Sequence, residues 1–311
     1  LLSTLNNIGT QLINPEVRIE TTNLCNAQCT ICNHNCIKRR KGVMTDGAFK
    51  KLVKQSIELG AKLISPFGFG EPLLDKTIDK KIEFCTKLGR ETFITSNGSL
   101  CHSGWSQKLF DAGLTHIRFS VHGINKVDYE NVHKSLTWMH TLMNIFTAIN
   151  IREVWKYNTK ISVSVIPMHG ESVEDVRKFW EGVCDELEIW KPHNWSIAKD
   201  YRNRTVKRKK TCGRPERGPV QIQWDGKIIP CCFITDAEIV LGDTTTTKLR
   251  DILEGDAYQE LRRKHREGDL KGLPCEHCDQ LNIEDESPLL YSTIDKKRTI
   301  NCTSSAKYKI L

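Results

Sequence analysis

No stretch of this chain approaches the ~18 consecutive apolar residues of a membrane-spanning helix, so no span is expected. The first residues, Leu1-Leu2-Ser3-Thr4-Leu5-Asn6, lack the basic segment and following apolar segment of a secretory signal. They also lack an initiator methionine, which reads as a trimmed chain. No zinc-finger spacing or aromatic RNA-binding motif accompanies the basic residues, so nucleic acid is not an expected partner. What the chain has in quantity is cysteine, 13 in 311 residues. A secreted disulfide scaffold would use cysteine this freely, but the length, the missing signal and the clustering argue for metal-bound thiols in a reducing compartment. A cytoplasmic protein is expected. The net charge of +8 comes partly from two runs, Lys38-Arg39-Arg40-Lys41 and Arg202 to Lys210, which read as solvated surface.

The chain is long enough for one large domain or two, and 39% hydrophobic residues with seven tryptophans suffice for a sizeable core. β-prone runs alternate with amphipathic ones. Strands are expected at 17–22, 63–67, 91–95, 116–121, 161–166 and 187–190. Helices are expected at 45–60, 77–88, 105–112, through most of 126–155, and after the N-cap Ser172. Six β/α repeats predict a parallel sheet with helices outside, either open and doubly wound or curled into a barrel. Beyond Lys199 the pattern changes. A hairpin is expected across Val220–Trp224 and Ile228–Pro230, turning at Asp225-Gly226, followed by one helix from Leu249 to His265. The last 30 or so residues are polar and aperiodic, and read as a tail.

Two groups of cysteines carry chemistry. Cys25-x3-Cys29-x2-Cys32 follows the first strand, where one turn can gather three thiolates. Three thiolates can hold three irons of a cubane and leave the fourth open; a zinc knuckle is the competing reading. The second group is Cys212, Cys231, Cys275 and Cys278, four ligands in two pairs with a C-x2-C hook at the end. These suit a closed 4Fe–4S cluster or a four-cysteine zinc site. Cys232 competes with Cys231. Cys36 reads as a reactive thiol near the first group, and Cys85, Cys101 and Cys184 as buried small apolar residues.

The triplet behind a first strand resembles the signature of the radical S-adenosylmethionine (SAM) superfamily, and segments at later strand ends fit the same resemblance. Gly68-Phe69-Gly70-Glu71-Pro72 resembles the family's Gly-Gly-Glu-Pro segment, with Phe69 in place of a glycine. It implies that Gly70 and Glu71 bind the SAM amino group. Thr95-Ser96-Asn97-Gly98 resembles the polar turn near the ribose, implicating Ser96 and Asn97, and Ser120 stands where a family serine approaches the methionine. Ile31 and Ile166 fall where residues flank the adenine. The family's basic residue for the carboxylate has no arginine counterpart; His133 and Lys134 occupy that neighbourhood. Asp225-Gly226-Lys227-x2-Pro230-Cys231-Cys232 and the hook resemble an auxiliary-cluster module. Of the cysteines that a longer SPASM module would add, only Cys302 remains, which implies the shorter "twitch" form with one cluster.

The resemblance therefore implies a partial (β/α)6 TIM-like barrel at 1–198, a small α+β auxiliary-cluster domain at 199–285 and a tail at 286–311. It implies two 4Fe–4S clusters, SAM, and an electron donor such as flavodoxin or ferredoxin. The expected substrate is a small polar molecule of the sugar or aminocyclitol type, dehydrogenated or epimerised. A peptide-modifying maturase is the alternative, and a non-catalytic iron–sulfur or zinc protein a third. His122, His193, Asn194, Asp200 and Tyr201 are candidate pocket residues, none assigned as acid or base.

Overall fold

The computed structural model describes residues 11–195, 199–283 and 288–294. Cys302 lies outside them, as does most of the expected tail. Six strands run parallel in chain order: β1 (Glu16–Ile19), β2 (Leu63–Ser65), β3 (Glu91–Ser96), β4 (His116–Ser120), β5 (Lys160–Val165) and β6 (Glu186–Trp190). Between them run α1 (Asp46–Glu58), α2 (Ile78–Lys87), α3 (Ser103–Asp111), α4 (Lys126–Val132), α5 (Trp138–Trp155) and α6 (Val173–Trp180). The helices begin where capping chemistry allows. Thr45, Asn125 and Ser172 each accept a hydrogen bond from a backbone N–H three residues on.

Alternation along the strands sorts side chains between two environments. Val17, Ile19, Ile117, Phe119, Ile161, Val163, Leu187 and Ile189 are fully buried in the layer shared with the helices. The intervening positions are polar and meet one another across the sheet: Arg118 pairs with Glu188 at 3.0 Å, and His116 bonds Ser162 at 2.7 Å. A parallel sheet with one apolar face and one polar, inward face is the expected partial barrel. Among the described residues it remains open.

The stretch 126–155 is mostly helical, as expected, with a break at residues 133–137, where Ser135 adopts a left-handed backbone and the chain turns to meet the cysteine loop. Other expectations need correction. The 249–265 helix is two, α7 (Leu249–Glu254) and α8 (Asp256–Glu267), because Gly255 takes an extended conformation and caps the second. The tail is not wholly featureless: β10 (Leu289–Ser292) pairs antiparallel with β6, burying Leu290 and Tyr291 in the barrel's core. Its short apolar run is too brief to show a period. The second segment continues the barrel's sheet. Strand β7 (Val220–Ile222) pairs parallel with β1, and β8 (Lys227–Ile229) and β9 (Gly242–Asp243) extend the same sheet antiparallel. Leu249, Ile252, Tyr258 and Leu261 share one core with Val17, Ile19 and Phe49.

The basic runs are also not simply solvated. Arg39 forms a two-point pair with Glu20, at 2.6 and 2.7 Å, and Arg202 pairs with Asp279 at 3.2 Å; all four side chains are buried. Arg39 fastens the loop after the first cysteine group to the end of β1, and Arg202 fastens the segment after Cys278 to the loop beyond β6. No helix among the described residues is long and apolar enough to cross a membrane.

Lys81 is buried and donates to Asp75 at 2.6 Å, beneath the loop that carries Glu71. Lys81→Met leaves the buried Asp75 carboxylate without its cation, with only the Thr77 hydrogen bonds, and should cost about 3–5 kcal/mol in urea denaturation. Adding Asp75→Asn should recover part of the loss; a single variant within about 1 kcal/mol of the parent would contradict this account.

Candidate functional site

A cavity of about 220 Å3 opens at the C-terminal ends of the barrel strands. Its lining brings together Cys25, Cys29, Cys32 and Ile31 from the loop after β1, Gly70 and Glu71 after β2, Ser96 and Asn97 at the end of β3, Ser120 at the end of β4 and Ile166 after β5. Backbone bonds fix the cysteine loop against its neighbours. Glu71 N–H donates to Leu24 O, Gln28 N–H to Lys134 O and Thr30 N–H to Val132 O, all at 2.8–3.0 Å. A Cβ on Gly70 would stand 2.4 Å from Leu24 O, so this crossing admits a glycine alone. Asn97 donates to Asn26 Oδ1 at 2.9 Å, and Asn26 to Ser99 at 2.8 Å, tying the third strand end to the same loop.

Burial governs the electrostatics. Desolvation pushes the Cys25 thiol up to about 11 and raises Cys29 and Cys32 as well. Glu71 is buried, and desolvation pushes its carboxyl up to about 7 against the hydrogen bonds it accepts. Those come from Asn97 N–H at 2.8 Å on Oε2, and from Ser96 at 2.8 Å and Leu73 N–H at 3.1 Å on Oε1. Oε2 therefore keeps a lone pair. Burial likewise holds His122 and His133 below the ordinary imidazole value, His122 at about 3.

The second group of cysteines also converges. Cys212, Cys231, Cys275 and Cys278 line one small apolar cavity of about 20 Å3 with Arg214, Phe233 and His265. Cys232 points elsewhere, lining the neighbouring cavity with Gln223. Desolvation raises Cys231, takes Cys275 to about 11 and takes Cys278 to about 12. Arg208 steadies the hook by donating to Cys278 O at 2.6 Å and to Glu276 O. Arg214 donates to Cys232 Sγ at 3.3 Å and stacks on Phe233. Burial opposes its charge, but the sulfurs of Cys232, Cys231 and Cys212 outweigh burial and raise it. A row of aromatic contacts joins the two sites. Phe69 meets Trp195 edge-on at 5.2 Å, and Trp195 meets Phe233 edge-on at 5.5 Å.

Some candidates stand apart. Lys134 is exposed and bonded to Asn131. Asp200 and Cys36 are exposed, and Cys184 is half-buried, not buried, bonding Glu186 O at the core's margin. Asn194 is a turn organiser that accepts from Tyr201 and Arg202 N–H, while Tyr201 reaches Thr30 O. His122 and His193 do line the first cavity. Sequence reading missed Trp195, whose Nε1 donates to Ile31 O at 2.7 Å from a left-handed backbone, and Arg214. No spacing marks either one. Phe69, in the glycine's place, packs between His34 and Trp195, and its N–H bonds Glu20.

Both cavities fit iron–sulfur clusters. Their thiols lie out of water, where a thiolate is unfavourable without a cation, and hydrogen-bond donors meet them: His34 N–H at Cys32 and an imidazole at Cys29. A zinc ion at about 2.3 Å from four thiolates would draw the sulfurs within about 4 Å of one another. Among the described residues no three His, Cys, Asp or Glu side chains are disposed to hold a metal ion in that way.

An open barrel with one three-cysteine and one four-cysteine site defines an iron–sulfur enzyme class. The chain belongs to the radical SAM superfamily, whose family model matches residues 19–181, just over half of its length. An iron–sulfur cluster-binding domain of the SPASM type matches residues 212–279. The two domains imply a 4Fe–4S cluster each, with SAM, and the non-catalytic reading falls away. The chain is 29% identical over 171 residues to GTP 3′,8-cyclase of Aliarcobacter butzleri, covering 53% of this chain and 50% of that one. It thus spans about half the length of that curated relative. In fold it is similar to BtrN in complex with AdoMet and 2-DOIA (TM-score 0.60, 19% identity, 91% of this chain and 100% of that one). It is also similar to Streptococcus suis SuiB bound to the precursor peptide SuiA (TM-score 0.66, 14% identity, 88% and 71%).

The raised carboxyl of Glu71 gives a pH signature. Between its ordinary value of 4.5 and about 7 the folded apoprotein keeps a proton that the unfolded chain has lost. Stability referable to Glu71 therefore falls as pH rises through that window. The unfolding free energy of the parent minus that of Glu71→Gln should decline across it by up to about 1.4 kcal/mol per pH unit. Denaturant titrations of both apoproteins at several pH values check this, and a pH-independent difference would contradict it.

Proposed function

We propose that this chain cleaves SAM reductively and turns the resulting radical on a small polar substrate of the sugar or aminocyclitol type, in a dehydrogenation or epimerisation. When bound at Cys25, Cys29 and Cys32, a 4Fe–4S cluster supplies the electron that splits SAM into methionine and a 5′-deoxyadenosyl radical. The chain's own residues bind, orient and exclude water. Glu71 Oε2, with its remaining lone pair, accepts the SAM ammonium beside the Gly70 backbone. Ser96 and Asn97 take the ribose, Ser120 lies by the methionine, and Ile31 and Ile166 flank the adenine. Trp195, packed edge-on against Phe69, walls the cavity against water that would quench a radical. Cys212, Cys231, Cys275 and Cys278 hold the auxiliary cluster, which suits net oxidation by accepting an electron.

The observation that carries the small-substrate reading is Gln223. Its side chain is 2% exposed, and neither amide atom has a hydrogen-bond partner among the described residues. Leaving such a group unpaired costs roughly 1–3 kcal/mol. Gln223 lines a cavity of about 40 Å3 that shares Phe67 and Gly68 with the main cavity and is also lined by Cys232. A hydroxyl, donor and acceptor at once, satisfies an amide in a space this small. The likeness to BtrN, which takes in all of that chain, supports the same class. The likeness to SuiB bound to SuiA favours a peptide as the second reading. Either reading carries with it a cytoplasmic setting and reduced flavodoxin or ferredoxin as the electron source.

Anaerobic reconstitution should load about eight irons per chain and, with reductant and SAM, release 5′-deoxyadenosine. Replacing Cys25, Cys29 and Cys32 by Ala should abolish the release. Replacing Cys275 and Cys278 by Ala should leave SAM cleavage but end substrate turnover; full turnover would exclude an obligatory auxiliary cluster. Among polyol, aminocyclitol and peptide substrates, the first two should stimulate 5′-deoxyadenosine formation. Gln223→Leu should raise KM for the accepted one at least about tenfold. Stimulation by peptides alone would replace this reading with the second.

A further inference from the structure

His133 touches a sulfur of the first site, and its hydrogen bonds determine how. Its Nδ1 lies 3.2 Å from Cys29 Sγ, and its Nε2 lies 3.0 Å from the backbone nitrogen of His122. A backbone N–H can only donate, so Nε2 must present a lone pair. The imidazole is then neutral and carries its proton on Nδ1. Nδ1–H can only donate, and its partner is the Cys29 sulfur. The alternative, a thiol donating to Nδ1, would need the lone pair that the first bond has already assigned to Nε2.

The ring has little freedom to turn away. It stacks on His122 at 4.8 Å and 10° on one side and on Tyr129 at 4.4 Å and 25° on the other, and it is buried. His122 is itself held, because its Nδ1 accepts the Ile166 N–H at 3.1 Å. The same turn braces the cysteine loop through Thr30 N–H to Val132 O and Gln28 N–H to Lys134 O. Loop and imidazole therefore move as one unit.

We propose that His133 is a positioning residue whose Nδ1–H bond to Cys29 raises the reduction potential of the cluster held by Cys25, Cys29 and Cys32. A donor to a ligating sulfur stabilises the reduced state, which carries one more negative charge, over the oxidised one. The inference rests on the assignment of those three cysteines to the cluster. It explains why the chain spends a buried histidine beside a sulfur, in the neighbourhood where the family's arginine is missing.

The test compares the parent with His133→Phe, which keeps a ring in the stack and removes the donor, and His133→Asn, whose amide restores an N–H near Nδ1. All are made in a Cys275→Ala/Cys278→Ala background, so that one cluster is read. Iron content and the midpoint potential of the reconstituted proteins are measured without SAM. The Phe variant should bind iron like the parent but reduce at a more negative potential, and the Asn variant should return toward the parent. Equal potentials for parent and Phe variant would overturn the proposal, while failure of the parent background to bind iron would instead overturn the cluster assignment. Should the Phe variant not take up iron, the parent labelled with 15N in its imidazoles decides. Its reduced cluster should show a nitrogen hyperfine coupling that the Asn variant lacks, and no such coupling would reject the hydrogen bond.

Discussion

The structure depends on keeping sulfur anions out of water. Seven cysteines line two cavities in which burial favours the protonated thiol, pushing Cys25 up to about 11 and Cys278 to about 12. A protein gains nothing by gathering thiols in this way unless a cationic group comes to them. The surrounding donors have the same meaning: an imidazole at Cys29, a backbone N–H at Cys32 and a guanidinium beside Cys231 and Cys232 all favour the anionic sulfur. Glu71, acidic and buried in the first cavity, asks in the same way for a cation. In the proposed function the ammonium of SAM meets that demand.

Position follows from the sheet. Strand β1 lies between β2 and β7, so the strand that launches the three-cysteine loop is also the seam to which the auxiliary segment is stitched. Glu20, one residue beyond β1, receives Arg39, Phe69 N–H and Trp224 N–H, and so draws together the cysteine loop, the glycine loop and the hairpin. The two cysteine sites thus face each other through a fixed partition of Phe69, Trp195 and Phe233, with the Gln223 cavity beside it.

Much of this was legible in the sequence because the signals were local. The sequence pattern locates all six barrel strands to within a few residues, and cysteine spacing singles out the two groups that the fold gathers. The glycine of Gly70-Glu71 is legible for a reason now visible: the loop after β2 passes under Leu24 O too closely for any side chain. What escaped were long-range effects. The four residues of β10 show no period but pair with β6 once the barrel exists. Arg39 and Arg202 look like members of solvated runs, yet each is buried against a carboxylate distant in sequence, Arg202 against one 77 residues away. His133 reads as a weak stand-in for a missing arginine, and its contact with Cys29 across 104 residues has no sequence signature.

The central claim is that one cavity holds both a cluster on Cys25, Cys29 and Cys32 and the amino-acid end of SAM beside Glu71. The most direct measurement is the hyperfine spectrum of the singly clustered, reduced protein with SAM labelled at its amino nitrogen and carboxylate. The account predicts coupling from both labels to the cluster, weakened or lost in Glu71→Gln. A spectrum indifferent to labelled SAM, in protein with a full complement of iron, would contradict it.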